Sequence, residues 1–272
     1  MRKNFLLAFA VLLPFQFITS TQAETRSDTA KEQRWSEQIV DQLIDGEDVW
    51  LNAHGHRFLT IYTPAEDEPP KGTVILIHGT GAHPDWPQVI QPLRSGLAES
   101  GWQSLSLQMP LPPADAGEEI QELLIREGAD RISAALDWLT QQGAGKVSLI
   151  AHSRGGVDLL FYAADSQDER LLSLVVIGVN GAYKNVPDSA APLQSLSKIK
   201  LPVLDVYGDG DLPGVLETAE ARRAAADNST GFQQSRVAGA DHFFDGSDAE
   251  LLELVRDWLT ACLLYTSDAA DD

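Results

Sequence analysis

A serine at a sharp strand-to-helix junction is the residue of this chain best suited to chemistry. Ser153 follows the apolar run 147–151 and precedes Gly155 and Gly156, and the sequence beyond them is helix-compatible. This small-x-Ser-x-Gly pattern predicts a nucleophile elbow, a strained turn that tolerates only small neighbours such as Ala151. The following helix would point free N–H groups at an oxyanion. The competing interpretation is an ordinary strand–helix turn.

A serine hydroxyl becomes a strong nucleophile only when a base takes its proton and an acid orients that base. Asp211 follows the apolar run 201–207, and His242 follows the short run 233–237 and a loop of small residues. The order serine, acid, histidine is the one found with nucleophile elbows. We therefore predict a Ser153–His242–Asp211 triad. Asp209 is the alternative acid, whereas Asp241 is too close to His242 in sequence to orient it easily.

Residues 73–259 resemble the α/β-hydrolase superfamily. Within it, the chain is similar to an exported bacterial family of uncharacterised function through the segments 77–81 (IHGTG), 85–87 (DWP) and 101–107 (GWQSLSL). The resemblance implies the fold and hydrolytic chemistry but supplies no substrate. Ala151 departs from the glycine that is commoner at that position, a tolerated replacement. The presence of Ser153 with both partners favours an active member.

Two backbone N–H groups are expected to form the oxyanion hole, those of Arg154 and Thr80. The glycines around Thr80 allow close approach of a substrate. A phosphate-binding loop is the alternative there, but neither Gly-x-x-x-x-Gly-Lys nor Gly-x-Gly-x-x-Gly occurs. The Arg154 side chain is expected either to attract an anionic substrate group or to pair with a carboxylate. Further candidates for lining the substrate pocket are His78, Gly79, Gly81 and His152.

The five other histidines are not expected to act as the catalytic base. His78 is expected to order the oxyanion loop, and His152 either lines the pocket or packs under the elbow. His54 and His56 flank a predicted hairpin turn and are expected to be exposed. His83 lies two residues from Asp85, which is weak evidence for a metal site. We therefore predict neither a metal nor a cofactor.

The two ends of the chain are predicted to lie outside the fold. Residues 1–23 have the features of a secretory signal peptide: Arg2 and Lys3, the apolar run 5–18 and a Thr-Gln-Ala cleavage site. This predicts export to the periplasm or beyond, without a stable membrane anchor. Residues 262–272 match a translated sequencing adaptor, so the native end beyond about residue 261 is undetermined. Residues 24–261 are predicted to form a single domain.

The charge balance argues against two classes of partner. The chain carries 20 basic and 40 acidic residues, for a net charge of −20. Without the predicted signal and tail, 18 basic and 37 acidic residues leave −19. Such a protein is repelled by nucleic acid and by anionic membranes. The only cysteine, Cys262, lies in the predicted tail, so no disulfide framework is expected.

The pattern of apolar runs predicts an α/β fold. An amphipathic helix within 27–45 and a hairpin formed by 48–52 and 56–62 come first. Strands are then predicted at 73–78, 103–107, 147–151, 171–179, 201–207 and 233–237, and helices at 88–100, 118–142, 154–165, 216–226 and 249–261. Alternating strands and helices imply a mainly parallel sheet covered on both faces, with ligands bound past the carboxyl ends of its strands. Only residues 180–200 are available for a lid, so no large cap is expected.

These expectations together favour a serine hydrolase that cleaves a small-molecule carboxylic ester, with a small or extended acyl group, through an acyl-enzyme. Two alternatives remain open. One is a non-catalytic, envelope-associated binding protein on a hydrolase fold, since fold does not dictate function. The other is a peptidase or a cofactor-free haloperoxidase that uses the same triad. The sequence does not fix the acyl length, ester or amide preference, or the oligomeric state.

Overall fold

One eight-stranded sheet organises the molecule. The computed structural model describes residues 26–117, 120–184 and 186–268, with side chains to residue 264. The predicted signal peptide lies outside these residues. The strands are β1 (Glu47–Ala53), β2 (His56–Thr63), β3 (Gly72–Ile77), β4 (Trp102–Leu107), β5 (Val147–His152), β6 (Leu171–Ile177), β7 (Val203–Gly210) and β8 (Phe232–Asp241).

The strand order is β1-β2-β4-β3-β5-β6-β7-β8. β1 pairs antiparallel with β2, and β2 pairs antiparallel with β4, whereas every pairing from β4 to β8 is parallel. The predicted parallel sheet with an antiparallel N-terminal hairpin is therefore confirmed. The hairpin turns at His54 and Gly55, which both adopt positive φ angles, as a tight two-residue turn requires.

Helices cover both faces of the sheet. They are α1 (Thr29–Gln42), α2 (Ile90–Glu99), α3 (Ile120–Gln141), α4 (Gly155–Ser166), α5 (Pro192–Leu196), α6 (Pro213–Glu217), α7 (Ala219–Ala225) and α8 (Asp248–Asp268). One apolar core packs α3 and α4 against one face, and a second packs α2 and α8 against the other. None of the described helices is long and apolar enough to cross a bilayer.

The segment between β6 and β7 contains only a short 3-10 turn and α5, so there is no large cap among the described residues. The helix predicted at 216–226 is instead two helices, α6 and α7, separated at Thr218. The Thr218 hydroxyl donates to the Gly214 carbonyl at 2.6 Å and accepts the Gly181 N–H at 2.8 Å. The break therefore ties this region to the segment after β6.

The C-terminal helix α8 is longer than expected. It runs through Asp268 rather than ending at Ala261, and Cys262 is buried in the core under the sheet. The prediction that residues 262–272 are foreign stays a prediction.

Candidate active site

Ser153 lies between β5 and α4 in a left-handed backbone conformation, with φ = 53°. Such a conformation is costly for a residue with a side chain and must be held by its surroundings. The Ser153 N–H donates to the carbonyl of Ile177 at 2.7 Å. Gly155 allows the turn to close, because a Cβ there would lie 2.5 Å from the carbonyl oxygen of His78. The local geometry is that of the predicted elbow.

The structure brings Ser153, His242 and Asp211 together. His242 Nδ1 lies 2.6 Å from Asp211 Oδ1, and His242 Nε2 lies 3.0 Å from Ser153 Oγ. Asp211 and His242 are buried, and Asp211 Oδ1 also accepts the N–H of Leu212 at 2.7 Å. With Nδ1–H donated to the carboxylate, the lone pair of Nε2 faces the serine hydroxyl. The arrangement can remove the hydroxyl proton.

The two other acids considered from the sequence do not contact the imidazole ring. Asp209 accepts the N–H of Gly239 at 2.8 Å, and Asp241 accepts the N–H of Phe243 at 2.9 Å within the turn after β8. Both therefore order backbone around the site. Of the candidate acids, Asp211 alone among the described residues is hydrogen-bonded to His242.

His152 packs beneath the elbow rather than facing the substrate side. It is buried, and its Nε2–H donates to the carbonyl oxygen of His242 at 2.9 Å. Its ring centroid is 4.9 Å from that of His242. Burial lowers the pKa of His152 to about 4, so the ring is neutral near pH 7. His152 thus links the elbow to the turn that carries His242.

His78 orders the loop expected to supply one oxyanion donor. Its Nε2 accepts the N–H of Met109 at 3.0 Å, so the proton is on Nδ1, which lies 2.8 Å from the Gly79 carbonyl oxygen. Burial lowers the pKa of His78 to about 4. A Cβ at Gly79 would lie 3.0 Å from the Cβ of Ser153, which shows how closely this loop approaches the serine.

The N–H groups of Thr80 and Arg154 have no hydrogen-bond acceptor among the described residues. Arg154 immediately precedes α4, so its N–H belongs to the positive end of that helix. Gly79, Thr80, Gly81 and Arg154 all line one small recess, and Arg154 directly follows the serine in the chain. These features suit an oxyanion hole.

Tyr183 is a site residue that sequence reasoning missed. It lies in the segment between β6 and α5, half-buried against the apolar cluster formed by Ile125, Val157, Phe161 and Ala190. Burial raises the pKa of its phenol, and interactions with the Asn180 backbone and with Arg154 and Ser153 partly offset that rise. The phenol is thus within interaction range of the Ser153 hydroxyl, although the two groups do not meet the geometry of a conventional hydrogen bond.

A buried ionic cluster supports one wall of the recess. Arg131 donates to Glu32 at 3.0 Å and to Glu127 at 2.8 Å, and all three side chains are buried. Glu32 also accepts the N–H of Leu111 at 3.0 Å, which fixes the loop after β4. Burial alone would raise the pKa of Glu32, but its hydrogen bond with His56 and the charge of Arg131 bring it below its usual value.

The expectation that His54 and His56 are exposed is wrong. Both rings are partly buried, because His54 contacts Asp130 and His56 lies 3.1 Å from Glu32. His83 accepts the N–H of Asp85 at 3.2 Å, while the Asp85 carboxylate pairs with Arg94 at 2.7 Å. Within the part of the chain that the structure describes, no group of three or more metal-ligating side chains occurs.

The sheet topology and the serine turn together define the chain as having the α/β-hydrolase fold. The chain is similar to Est1E from Butyrivibrio proteoclasticus, with a TM-score of 0.65 and 17% identity over 81% of this chain and 100% of that one. It is also similar to a dienelactone hydrolase from Anabaena variabilis (TM-score 0.64, 22% identity, 80% and 97% covered) and to the esterase domain of a Rhodothermus marinus protein (0.61, 16%, 80% and 99%).

The chain belongs to the family described as "Protein of unknown function (DUF3530)", whose model matches residues 14–122 and 113–261. No curated protein matches the sequence significantly. The predicted resemblance to an uncharacterised family of α/β-hydrolases is therefore confirmed, while the activity has to be argued from the site.

Proposed function

We propose that this protein is a serine hydrolase that cleaves carboxylic esters through an acyl-enzyme. The observation that carries the proposal is the continuous hydrogen-bonded chain from Asp211 through His242 to Ser153. It ends on a serine held in the conformation of a nucleophile elbow. Est1E, one of the similar structures, has also been solved with ferulic acid bound, and another is named an esterase domain. These names support an ester as the substrate.

In the proposed mechanism, Ser153 Oγ attacks the ester carbonyl as His242 Nε2 takes its proton. Asp211 keeps the imidazole in the required tautomer and stabilises its positive charge. The N–H groups of Thr80 and Arg154 stabilise the tetrahedral oxyanion, and each such donor is typically worth about 3 kcal/mol. His242 then protonates the leaving alcohol. Water, activated by the same histidine, releases the acid and restores the serine.

The surroundings of the triad favour an apolar group on the accessible side of the ester. Leu212 follows Asp211 and is 52% exposed, and Phe243 follows His242 and is 40% exposed. The rings of Phe243 and His242 have centroids 5.1 Å apart, so Phe243 offers an apolar surface directly beside the triad. The signal-like segment at 1–23 further leads us to propose that the enzyme acts outside the cytoplasm.

The test compares two neighbouring aspartates. Asp211→Asn should lower kcat/KM for p-nitrophenyl acetate by about 10⁴-fold, the loss typical when a triad acid is neutralised. Asp209→Asn, the matched control, changes an aspartate that only accepts a backbone N–H and should keep near wild-type activity. A fluorophosphonate probe should label the wild type but not Ser153→Ala.

Absence of both labelling and turnover in the wild type would refute the proposal and favour a binding protein on a hydrolase fold. Faster cleavage of peptide amides than of esters would instead identify a peptidase with the same triad.

A further inference from the structure

The small recess lined by Gly79 and Arg154, which both adjoin Ser153, has a size and a polarity that select an acyl group. Its volume is about 130 Å³. The oxyanion loop forms one side, and the loop after β4 and the start of α3 form the other. The walls that matter here are the apolar Met109, Leu111 and Leu124 and the polar Gln121, Arg154 and Asp158.

The volume limits the acyl chain. A protein cavity of about 150 Å³ is large enough to hold a benzene molecule, so the recess holds roughly five or six non-hydrogen atoms. Its walls are fixed on both sides, because His78 joins the oxyanion loop to Met109 and Glu32 holds Leu111. A four-carbon acyl group fits, whereas a medium-length fatty acyl chain does not.

The polarity of the recess comes from the guanidinium of Arg154, which has few short hydrogen bonds. Arg154 lies 3.2 Å from Asp158 Oδ1 and 3.5 Å from Gln121 Oε1, long distances for charge-assisted hydrogen bonds. By contrast, Arg222 donates to Asp205 at 2.8 Å and Arg94 to Asp85 at 2.7 Å. A guanidinium has five N–H donors, so Arg154 retains donors for a ligand.

Asp158 determines which kind of oxygen suits this position. Its carboxylate already offsets the charge of Arg154, and an incoming anion would also meet it at close range. Burial raises the pKa of Asp158, and the adjacent Arg154 acts in the opposite direction. A hydroxyl group suits the pair better than a carboxylate, because it can accept from the guanidinium and donate to the carboxylate.

We infer that the recess is the acyl subsite and that it selects esters of short hydroxy acids, whose hydroxyl binds between Arg154 and Asp158. The inference rests on the proposed esterase function and adds a substrate class to it. The scissile carbonyl lies against the N–H groups of Thr80 and Arg154, and the acyl chain follows the apolar wall toward the pair.

The test measures kcat/KM by pH-stat for ethyl butanoate, ethyl 3-hydroxybutanoate, ethyl hydrogen succinate and ethyl octanoate. A hydrogen bond to a charged group is worth enough to make the hydroxy ester about tenfold or more better than butanoate in the wild type. Arg154→Met should bring that ratio close to one. The ratio is taken within each variant, so a general loss of activity cancels. Arg126→Met, an exposed arginine on α3, is the matched control and should keep the wild-type ratio.

Leu124→Phe provides a second variant, because it fills the recess and should lower turnover of butanoate relative to ethyl acetate. The inference is overturned if the wild type prefers succinate or octanoate, or if the hydroxy ester shows no advantage. If the probe labels Ser153 and butanoate is cleaved, such a result overturns only the acyl-subsite inference and leaves the proposed esterase function standing. When labelling and all turnover are absent, the proposed function falls as well.

Discussion

Lowering the pH from 7 to 4 is expected to weaken the folded state through His152 and His78. Both rings are buried, with 3% of each residue exposed, and burial lowers the pKa of each to about 4 from an ordinary value near 6.5. Between these two pH values the unfolded chain binds more protons than the folded protein. The free energy of unfolding therefore falls as the pH falls through that window.

The magnitude follows from the two pKa values. A pKa difference of one unit corresponds to about 1.4 kcal/mol. Each histidine should therefore lower the free energy of unfolding by about 3 kcal/mol between pH 7 and pH 4. Carboxylates add their own dependence, so one histidine has to be isolated. His152→Gln does so, because the glutamine amide can still donate to the His242 carbonyl but cannot titrate.

The assay is urea unfolding followed by tryptophan fluorescence at pH 7, 6, 5 and 4, for the wild type and His152→Gln. The variant should lose about 3 kcal/mol less than the wild type over this range. Leu124→Ala, a non-titrating and destabilised control, should lose as much as the wild type. The opposing outcome is that the wild type and His152→Gln lose the same free energy of unfolding, with the same slope of that free energy against urea concentration. That result would show that buried His152 is not held neutral and would refute the argument.

Two further predictions concern Tyr183, near the serine, and Glu32, in the buried ionic cluster. Hydrogen bonds at an active site often shorten only when substrate binds, so the Tyr183 phenol is expected to reach Ser153 in the complex. Tyr183→Phe should therefore lower kcat/KM for p-nitrophenyl acetate about two- to tenfold, the value of one neutral hydrogen bond. Tyr162→Phe, whose hydroxyl contacts Asp168 instead, should have no kinetic effect. An unchanged kcat/KM in Tyr183→Phe would contradict the assignment. Glu32→Ala breaks a buried ion pair and should lower the free energy of unfolding, measured in urea, by about 3–5 kcal/mol. Glu37→Ala, on the exposed side of the same helix, should change it by less than about 0.5 kcal/mol. Similar losses in both variants would show that the cluster does not stabilise the fold.

The residues of the candidate triad could be found from the sequence because each follows a buried strand. Runs of apolar and β-branched residues predict parallel strands, and the carboxyl ends of parallel strands meet at one edge of the sheet. Ser153, Asp211 and His242 each come directly after such a strand, so the topology accounts for their proximity. The need for glycine at position 155 could also be predicted, because a tight turn has no room for a side chain there.

The supporting groups could not be found in the same way. Tyr183 lies in an irregular segment without periodicity, and nothing in the sequence indicates which side chain it approaches. Glu32 and Arg131 are 99 residues apart, on helices whose relative position depends on the whole sheet. The error about His56 has the same origin, since its partner Glu32 lies 24 residues away on a separate helix.

The geometry of the site depends on joining two separately positioned parts. The backbone of Ser153 is fixed by β5, by its hydrogen bond to the Ile177 carbonyl and by the space at Gly155. His242 and Asp211 instead follow β8 and β7 near the edge of the sheet. The His152 hydrogen bond to the His242 carbonyl spans the two parts within the fold. A catalytic base has to stay within hydrogen-bond reach of its nucleophile, and small displacements are costly in rate. His152, the residue before the serine, therefore holds the base in place. This role explains why a buried, neutral histidine occupies a position where the sequence predicted either pocket lining or packing under the elbow.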